Sequence, residues 1–259
     1  MPESFYELDG DRYLSTELTR GPWDPETQHA GPPAALLGRE VERADDPDGF
    51  QIARITFEIL RTVPIAPLRV EARVVRPGRR VQLLEGTLHD DEGAVMRATA
   101  WRLRTGPVDL PELPATTPPP GPQLAEEGDF VPTGQSVGYH TAMEYRFLEG
   151  AFLEPGPAKV WMRMRQPLVG GEQPSALQRV LVAADSGNGV SATLDWRRFW
   201  FINVDLSVHL ERLPDGEWVC LDAVTLPQAN GVGVADTLLL DGKGRIGRAL
   251  QTLLVRKRD

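Results

Sequence analysis

The chain has 259 residues, of which 41% are hydrophobic and 25% charged, and this balance is typical of a globular protein with a substantial core. Its formal net charge of -9 argues against general affinity for nucleic acid, because phosphate binding needs a basic surface. The N-terminus has no basic start followed by an apolar stretch, and no window approaches roughly 18 uninterrupted apolar residues. We therefore expect no membrane span and a cytoplasmic location.

The residues that usually carry metal or nucleophile chemistry are sparse. Cys220 is the single cysteine, which excludes an internal disulfide, and its apolar surroundings in the sequence predict a small buried side chain. The four histidines do not stand at metal-ligand spacing, and no glycine-rich phosphate loop follows a predicted strand. A GxSxG nucleophile motif is also missing, so we expect no metal, no bound cofactor and a water nucleophile.

Three short basic segments stand out in this acidic chain. They are Arg79-Arg80, Arg197-Arg198 and Arg256-Lys257-Arg258. Each could meet a phosphate group, although ordinary solvated surface charge is the favoured interpretation for any one of them.

The region before residue 106 is predicted to form one helix and five strands. The helix is predicted over 31–43, because a glycine and two prolines mark its start and its apolar residues fall on one stripe. The strands are bounded by proline, glycine and aspartate turns. They are predicted over 12–19, 53–61, 67–76, 80–90 and 94–104.

Residues 106–135 are rich in proline and have neither helical nor strand periodicity, so they are predicted to be a linker. The region after it repeats the earlier order. A helix is predicted over 174–189, where Ser175 and Gln178 have capping-box spacing. Strands are predicted over 140–148, 158–165, 199–211, 217–226, 231–241 and 245–256.

The repeat predicts the architecture. Each copy of strand, helix and four antiparallel strands indicates one long helix wrapped by a curved sheet. The predicted units are therefore residues 1–105, a linker over 106–135, and residues 136–259.

Asp185 breaks a local rule of helix formation. It stands at the predicted end of the second helix, where the carbonyl groups repel an acid, just before two glycines that are expected to stop the helix. Its spacing from Leu177 and Leu181 places it at the shoulder of the apolar stripe, so we expect it to be partly buried. One interpretation is a proton acceptor, and the other is a turn residue that binds backbone amides of the following DSGNG segment.

Several segments together resemble a known family. The most specific are HAGPPAALLGRE (29–40), LVAADSGNG (181–189) and GRALQTLLV (247–255). With these, the chain resembles the type II acyl-CoA thioesterases. That resemblance implies an α+β double hotdog fold, in which two antiparallel sheets each wrap around a long central helix. It also implies hydrolysis of fatty acyl-CoA to free acid and CoA, and, because a double hotdog mimics a dimer of single units, it leaves room for a homo-oligomer.

The resemblance implies a set of site residues as well. In the family a water molecule is activated by an Asp, a Thr and a Gln, which correspond here to Asp185, Asn203 and Gln251. Asn203 departs from the pattern, but an amide also donates and accepts hydrogen bonds at similar reach. The start of the first helix, at Gly31 and the nearby His29, is expected to contact the substrate, with helix amides binding the thioester oxygen.

The residues themselves leave these roles open. Alternation places Gln251 on a small apolar strand face, where its amide needs a partner, and a neighbouring loop would serve as well as a catalytic water. It places Asn203 on the polar face of strand 199–211, either in solvent or where the repeats meet around a wet site.

Two other functions compete with thioester hydrolysis. The first is hydration of an enoyl-CoA, which related hotdog enzymes perform with an Asp and a His at the spacing of Asp24 and His29. The Asn-Pro of those enzymes is replaced here by Glu26-Thr27. The second is non-catalytic binding of acyl-CoA, with Asn203 marking a lost site.

Overall fold

A computed structural model of the chain describes residues 3–45, 48–111, 116–128, 130 and 132–258. Within these residues lie four helices: α1 (Gly31–Arg43), α2 (Tyr139–Ala142), α3 (Ala176–Ala184) and α4 (Gly187–Val190). The strands of the first half are β1 (Tyr6–Asp9), β2 (Arg12–Ser15), β3 (Phe50–Ile59), β4 (Pro67–Arg76), β5 (Val81–Asp90) and β6 (Gly93–Arg104). Those that follow are β7 (Glu126–Glu127), β8 (Met143–Ala151), β9 (Glu154–Met164), β10 (Phe199–Asn203), β11 (Asp205–Leu210), β12 (Val219–Pro227), β13 (Val232–Asp241) and β14 (Gly244–Lys257).

The strands form one antiparallel sheet. Its order is β1-β2-β4-β5-β6-β3-β11-β14-β13-β12-β9-β8-β7, and β10 also pairs with β14. The expectation of two separate sheets is therefore wrong, because β3 of the first half pairs with β11 of the second and places Ile55 opposite Val208. This pairing removes two strand edges that separate sheets would leave exposed.

The helices α1 and α3 pack against each other at very short range. A side chain at Gly31 would place its Cβ 2.5 Å from the carbonyl oxygen of Val182, and one at Gly38 would overlap Leu181. Glycine is therefore required at Gly31, where the neighbour is backbone, whereas a side chain at Gly38 would require the Leu181 side chain to move. The first helix has the bounds predicted from the sequence, whereas α3 is shorter and α4 follows it. None of the described helices has the length and apolarity needed to span a membrane.

Most predicted strands are present, with shifted ends. The prediction of 67–76 is confirmed residue by residue by β4. The prediction over 12–19 is wrong at its end, because Thr16 caps a short 3-10 helix at Glu17–Thr19. The prediction over 140–148 is wrong at its start, since residues 140–142 belong to α2. The strand β1 has no counterpart in the sequence prediction.

The proline-rich segment 106–135 is largely without regular structure, as predicted, but it is anchored to the sheet. A 3-10 turn at Pro122–Leu124 precedes β7, which pairs with β8. The indole N–H of Trp161 donates to the carbonyl oxygen of Pro120 at 2.8 Å. Residues 112–115, 129 and 131 of this segment lie outside the described residues.

Cys220 lies in the core, which confirms the sequence prediction. Its side chain is fully buried beside Trp161 and Leu240. Burial raises the pKa of the thiol to about 12, so the group is a neutral hydrophobe near neutral pH.

Candidate active site

A cavity of about 840 Å³ lies between the two halves of the chain. Both halves contribute to its wall, and aromatic side chains form much of it. Residues from the first half include Trp23, Asp24, His29, Ala30, Ile59 and Arg61. Those from the second include Phe130, Phe152, Asp185, Asn188, Asp195, Trp196, Arg197, Trp200, Phe201, Ile202 and Asn203.

Asp185 connects three side chains that are distant in sequence. Its Oδ1 accepts hydrogen bonds from Nδ2 of Asn203 at 2.8 Å and from Nε2 of Gln251 at 3.2 Å. Its Oδ2 lies 3.0 Å from Nδ1 of His29. The side chain is 4% exposed, so the carboxylate is more buried than the sequence predicted. These partners are side chains, whereas the turn interpretation expected backbone amides of the DSGNG segment.

The glycines after Asp185 do not stop the helical path. Asp185 and Ser186 keep right-handed helical backbone angles, and Gly187 begins α4. A Cβ at Gly187 would overlap the hydroxyl of Thr237 on β13. The helix α3 therefore ends at Ala184, as expected from its sequence, but the glycines begin the short helix α4, and Gly187 allows close packing against the sheet.

A β-bulge turns Asn203 towards Asp185. Asn203 pairs with Leu253, but Ser207 pairs with Leu250, so the β10–β11 segment holds one more residue than the facing stretch of β14. An extra residue reverses the alternation of the strand. The predicted single strand 199–211 is therefore wrong at Val204, and Asn203 does not continue the face of the residues after the bulge. Its Nδ2 also donates to the carbonyl oxygen of Asp205 at 3.2 Å.

Gln251 holds the backbone and side chain of Asp185 together. Its Nε2 donates to the carbonyl oxygen of Asp185 at 3.0 Å as well as to the carboxylate. Its Oε1 accepts a hydrogen bond from the N–H of Asn188 at 3.1 Å. The side chain is 1% exposed and does not line the cavity. The strand alternation predicted for Gln251 is confirmed, since the residues on its face of β14 are buried.

The imidazole of His29 contacts Gly31 and Asp185 and stacks on Tyr139. Its Nδ1 accepts a hydrogen bond from the N–H of Gly31 at 3.1 Å and faces Asp185 on its other side. The imidazole stacks on the ring of Tyr139, with centroids 3.8 Å apart and planes 8° apart. Burial lowers the pKa of His29 more than the nearby Asp185 charge raises it. The imidazole is therefore neutral near neutral pH.

The backbone N–H of Gly31 and the side chain of Asp24 each have a hydrogen-bond partner within the protein. Gly31 is buried against α3, and its N–H is directed to His29; Ala30 is the residue of this turn that lines the cavity. Asp24 lines the cavity, but its Oδ1 accepts from the N–H of Glu26 at 2.8 Å. Nδ1 of His29 lies 3.0 Å from Oδ2 of Asp185.

Some members of this network have no counterpart among the residues predicted from the sequence. Tyr139 was outside the predicted elements, yet its hydroxyl lies 2.7 Å from the carbonyl oxygen of Val182 and 2.9 Å from Oγ of Ser186. Asn188, within the predicted helix, links Gln251 to the carbonyl oxygen of Phe201. No three His, Cys, Asp or Glu side chains of the described ranges come together as a metal-binding group.

Solved structures share this fold over nearly the whole chain. A Thermobifida fusca protein assigned as a thioesterase II is 18% identical, with a TM-score of 0.74 and coverage of 97% of this chain and 96% of that one. A hot dog fold protein of unknown function from Alicyclobacillus acidocaldarius is 16% identical, with a TM-score of 0.74 and coverage of 98% and 96%. Acyl-CoA thioesterase II TesB2 from Mycobacterium marinum is 14% identical, with a TM-score of 0.66 and coverage of 97% and 95%. These structural similarities show that the chain has a hotdog fold.

Family profiles match both halves of the sequence. Residues 19–103 match the acyl-CoA thioesterase N-terminal domain, and residues 107–255 match the acyl-CoA thioesterase C-terminal domain. A search of curated proteins returned no significant match. The two matches cover most of the chain, which therefore belongs to the acyl-CoA thioesterase family and is a thioester hydrolase.

Proposed function

We propose that the protein hydrolyses fatty acyl-CoA to a free acid and CoA, with Asp185 as the general base that activates water. The observation that carries this proposal is the carboxylate of Asp185 at the cavity wall, fixed by the amides of Asn203 and Gln251. In this proposal residues 1–105 and 136–259 are two hotdog units, joined by the linker 106–135, and the site lies where they meet.

Asn203 has one hydrogen-bonding atom to offer to water. Both hydrogens of its amide nitrogen are engaged, one by Asp185 and one by Asp205, which leaves its Oδ1 as an acceptor at the cavity. A water that donates one proton to Asp185 and the other to Oδ1 of Asn203 directs its lone pair into the cavity. Gln251 is then a positioning residue, because it holds Asp185 and lies behind the wall.

The chemical steps follow from this placement. Asp185 takes a proton as the water oxygen bonds to the thioester carbon, and the carbonyl oxygen becomes an oxyanion. The Ala30 N–H, at the start of α1 and beside the cavity, is the proposed donor to that oxygen. Collapse of the intermediate breaks the carbon–sulfur bond, and the proton on Asp185 passes to the departing sulfur.

His29 stabilises the protonated form of Asp185 in this scheme. Its Nδ1 accepts from the Gly31 N–H, so the proton of the neutral ring lies on Nε2. When Asp185 has taken the proton from water, its hydroxyl lies 3.0 Å from the same Nδ1 and can replace the Gly31 N–H as the donor to the single lone pair of that nitrogen. Stacking on Tyr139 keeps the ring in this orientation.

The test is substitution of Asp185 by Asn, followed by the release of free thiol from acyl-CoAs of different chain length. We expect kcat to fall by about 10²- to 10⁴-fold with little change in KM, because the amide cannot accept the proton. Asp222→Asn, on β12 beside Lys159, is the matched control and should retain wild-type rates.

Three results would contradict the proposal. One is an Asp185→Asn enzyme as fast as the wild type. Another is tight binding of acyl-CoA without turnover of any chain length, which would favour a binding protein. The third is loss of enoyl absorbance with crotonyl-CoA without thiol release, which would favour a hydratase.

A further inference from the structure

Two basic segments that are far apart in the sequence meet at one end of the β10–β14 pair. Arg197 and Arg198 directly precede β10, and Arg256, Lys257 and Arg258 lie at the end of β14. Phe199 pairs with Lys257, and the N–H of Arg258 donates to the carbonyl oxygen of Arg198 at 2.8 Å. These five basic residues form the basic cluster.

The basic cluster borders the cavity that holds Asp185. Arg197 lines this cavity, and so does Trp200. The guanidinium carbon of Arg258 lies 3.6 Å from the centroid of Trp200 and 5.6 Å from that of Trp23, which also lines the cavity. The cavity wall therefore runs along β10 from the active site to the basic cluster.

The basic cluster has no ion-pair partner among the residues that the structure describes. The net charge of the chain is -9, yet within residues 3–45, 48–111, 116–128, 130 and 132–258 no ion pair involves a member of the cluster. Arg61, another cavity residue, pairs with Asp90 and Glu92. Asp195 lines the cavity as well, and its carboxylate accepts from the Arg197 N–H at 2.9 Å. A concentration of positive charge in an acidic protein attracts an anionic ligand.

The distance from the basic cluster to the active site matches the arm of coenzyme A. Asn203 and Phe199 lie four residues apart on β10, which spans about 13 Å at about 3.3 Å per residue. The pantetheine arm joins sulfur to the first phosphate oxygen through about twelve bonds, which is the backbone length of about four residues. A thioester beside Asn203 and Asp185, with its pantetheine arm extended along β10, would have its phosphates at the basic cluster.

From this placement and charge we infer that the basic cluster binds the phosphate groups of the CoA portion of the substrate. This inference rests on the proposed function for its choice of ligand. It accounts for the two basic segments together.

The experiment compares two double charge reversals. Arg197→Glu with Lys257→Glu changes the basic cluster, and Arg79→Glu with Arg80→Glu makes the same change of charge at exposed residues that do not line the cavity. Each is assayed with an acyl-CoA and with the same acyl group on N-acetylcysteamine, which carries no phosphate. Binding of CoA and of pantetheine is measured by calorimetry, so that the inference is tested even without turnover.

We expect the reversal in the basic cluster to raise the acyl-CoA KM and the CoA dissociation constant about tenfold or more, because attraction becomes repulsion. The KM for the N-acetylcysteamine thioester, kcat and pantetheine binding should not change. High salt should weaken CoA binding to the wild type more than to this variant.

Equal CoA affinity in the two double variants would overturn the inference while leaving hydrolysis intact. An equal rise of KM for both thioesters would also overturn it, because it would assign the cluster to the acyl site. Weaker binding of an acidic acyl carrier protein with unchanged CoA affinity would assign the cluster to a protein partner instead. Failure of the proposed function would appear separately, as CoA binding without hydrolysis by the wild type.

Discussion

At the scale of single residues, substitutions of Asn203 can show how the Asp185 carboxylate is held. Its amide donates to Asp185 and to the carbonyl oxygen of Asp205, whereas a threonine hydroxyl has one hydrogen to donate. A threonine here can keep the bond to Asp185 but not both bonds. An alanine keeps neither, and it also removes the proposed acceptor for water.

We therefore expect Asn203→Ala to lower kcat by about 10- to 100-fold and Asn203→Thr to lower it less. Steady-state kinetics of thiol release gives both values. Asn230→Ala, in an exposed turn, should match the wild type. Equal rates for Asn203→Ala and the wild type would exclude Asn203 from the mechanism.

His29 should make stability depend on pH. Burial lowers its pKa in the folded protein below the ordinary value of 6.5, so the unfolded state binds the proton more readily. The stability that neutral His29 contributes to the folded protein is fully present above about pH 6.5. It is lost as the pH falls below that value, because the unfolded state then binds the proton first. His29→Gln should therefore show a shallower loss of stability between about pH 7 and about pH 5 in urea unfolding. His209→Gln, at an exposed position, is the control, and identical slopes for His29→Gln and the wild type would contradict the expectation.

Some of these residues could be recognised in the sequence and some could not. Asp185 breaks the charge rule at a helix end, and Gln251 interrupts a buried strand face, so both are visible as local exceptions. The orientation of Asn203 depends on a bulge set by pairing with β14, and no alternation pattern within 199–211 reveals it. The contact of His29 with Asp185 joins residues 156 positions apart and arises only when α1 and α3 pack.

At the scale of elements, α1 and α3 position the candidate site through their contact at Gly31. His29 lies two residues before Gly31, and Val182, which Gly31 touches, lies three residues before Asp185. A change in the separation of α1 and α3 at this point therefore changes the distance between the imidazole and the carboxylate.

Gly31→Ala should move the helices apart, because its Cβ would lie 2.5 Å from the carbonyl oxygen of Val182, which is backbone and cannot rotate away. We expect a loss of about 1–3 kcal/mol in the free energy of unfolding, together with a lower kcat. Urea unfolding and thiol release measure the two effects. Gly242→Ala, where a Cβ meets no atom within 4 Å, is the control. A Gly31→Ala enzyme with unchanged stability and rate would show that the contact is not needed.

Element ends were harder to predict than the elements. β4 was predicted with its observed bounds because Pro67 and Pro77-Gly78 isolate it in the sequence. Residues 140–142 alternate like a strand, but Gly138 and Thr141 begin a helical turn there through hydrogen bonds in both directions. Local periodicity could not distinguish these outcomes, since tertiary pairing decides where β8 starts.

At the scale of the whole molecule, the candidate site is built from both halves of the chain. His29 and the Ala30 N–H come from the first half, and Asp185, Asn203 and Gln251 come from the second. The repeat in the sequence indicated two similar halves but could not indicate that their sheets join, because β3 and β11 have no local feature that specifies each other.

The joined sheet predicts that the two halves unfold together. Ile55 is fully buried in β3 directly opposite Val208 of β11, so Ile55→Ala leaves a cavity at the junction of the halves. We expect it to lower the free energy of unfolding by about 2–5 kcal/mol. Hydrogen exchange in moderate urea should lose protection in β5 and β13 to the same extent, although neither strand contains the change. Leu226→Ala, at a half-exposed position of β12, should have little effect. Loss of protection in β5 alone would mean that each half is stable without the other. The contacts between α1 and α3 would then have to be sufficient to assemble the site from two independently folded units.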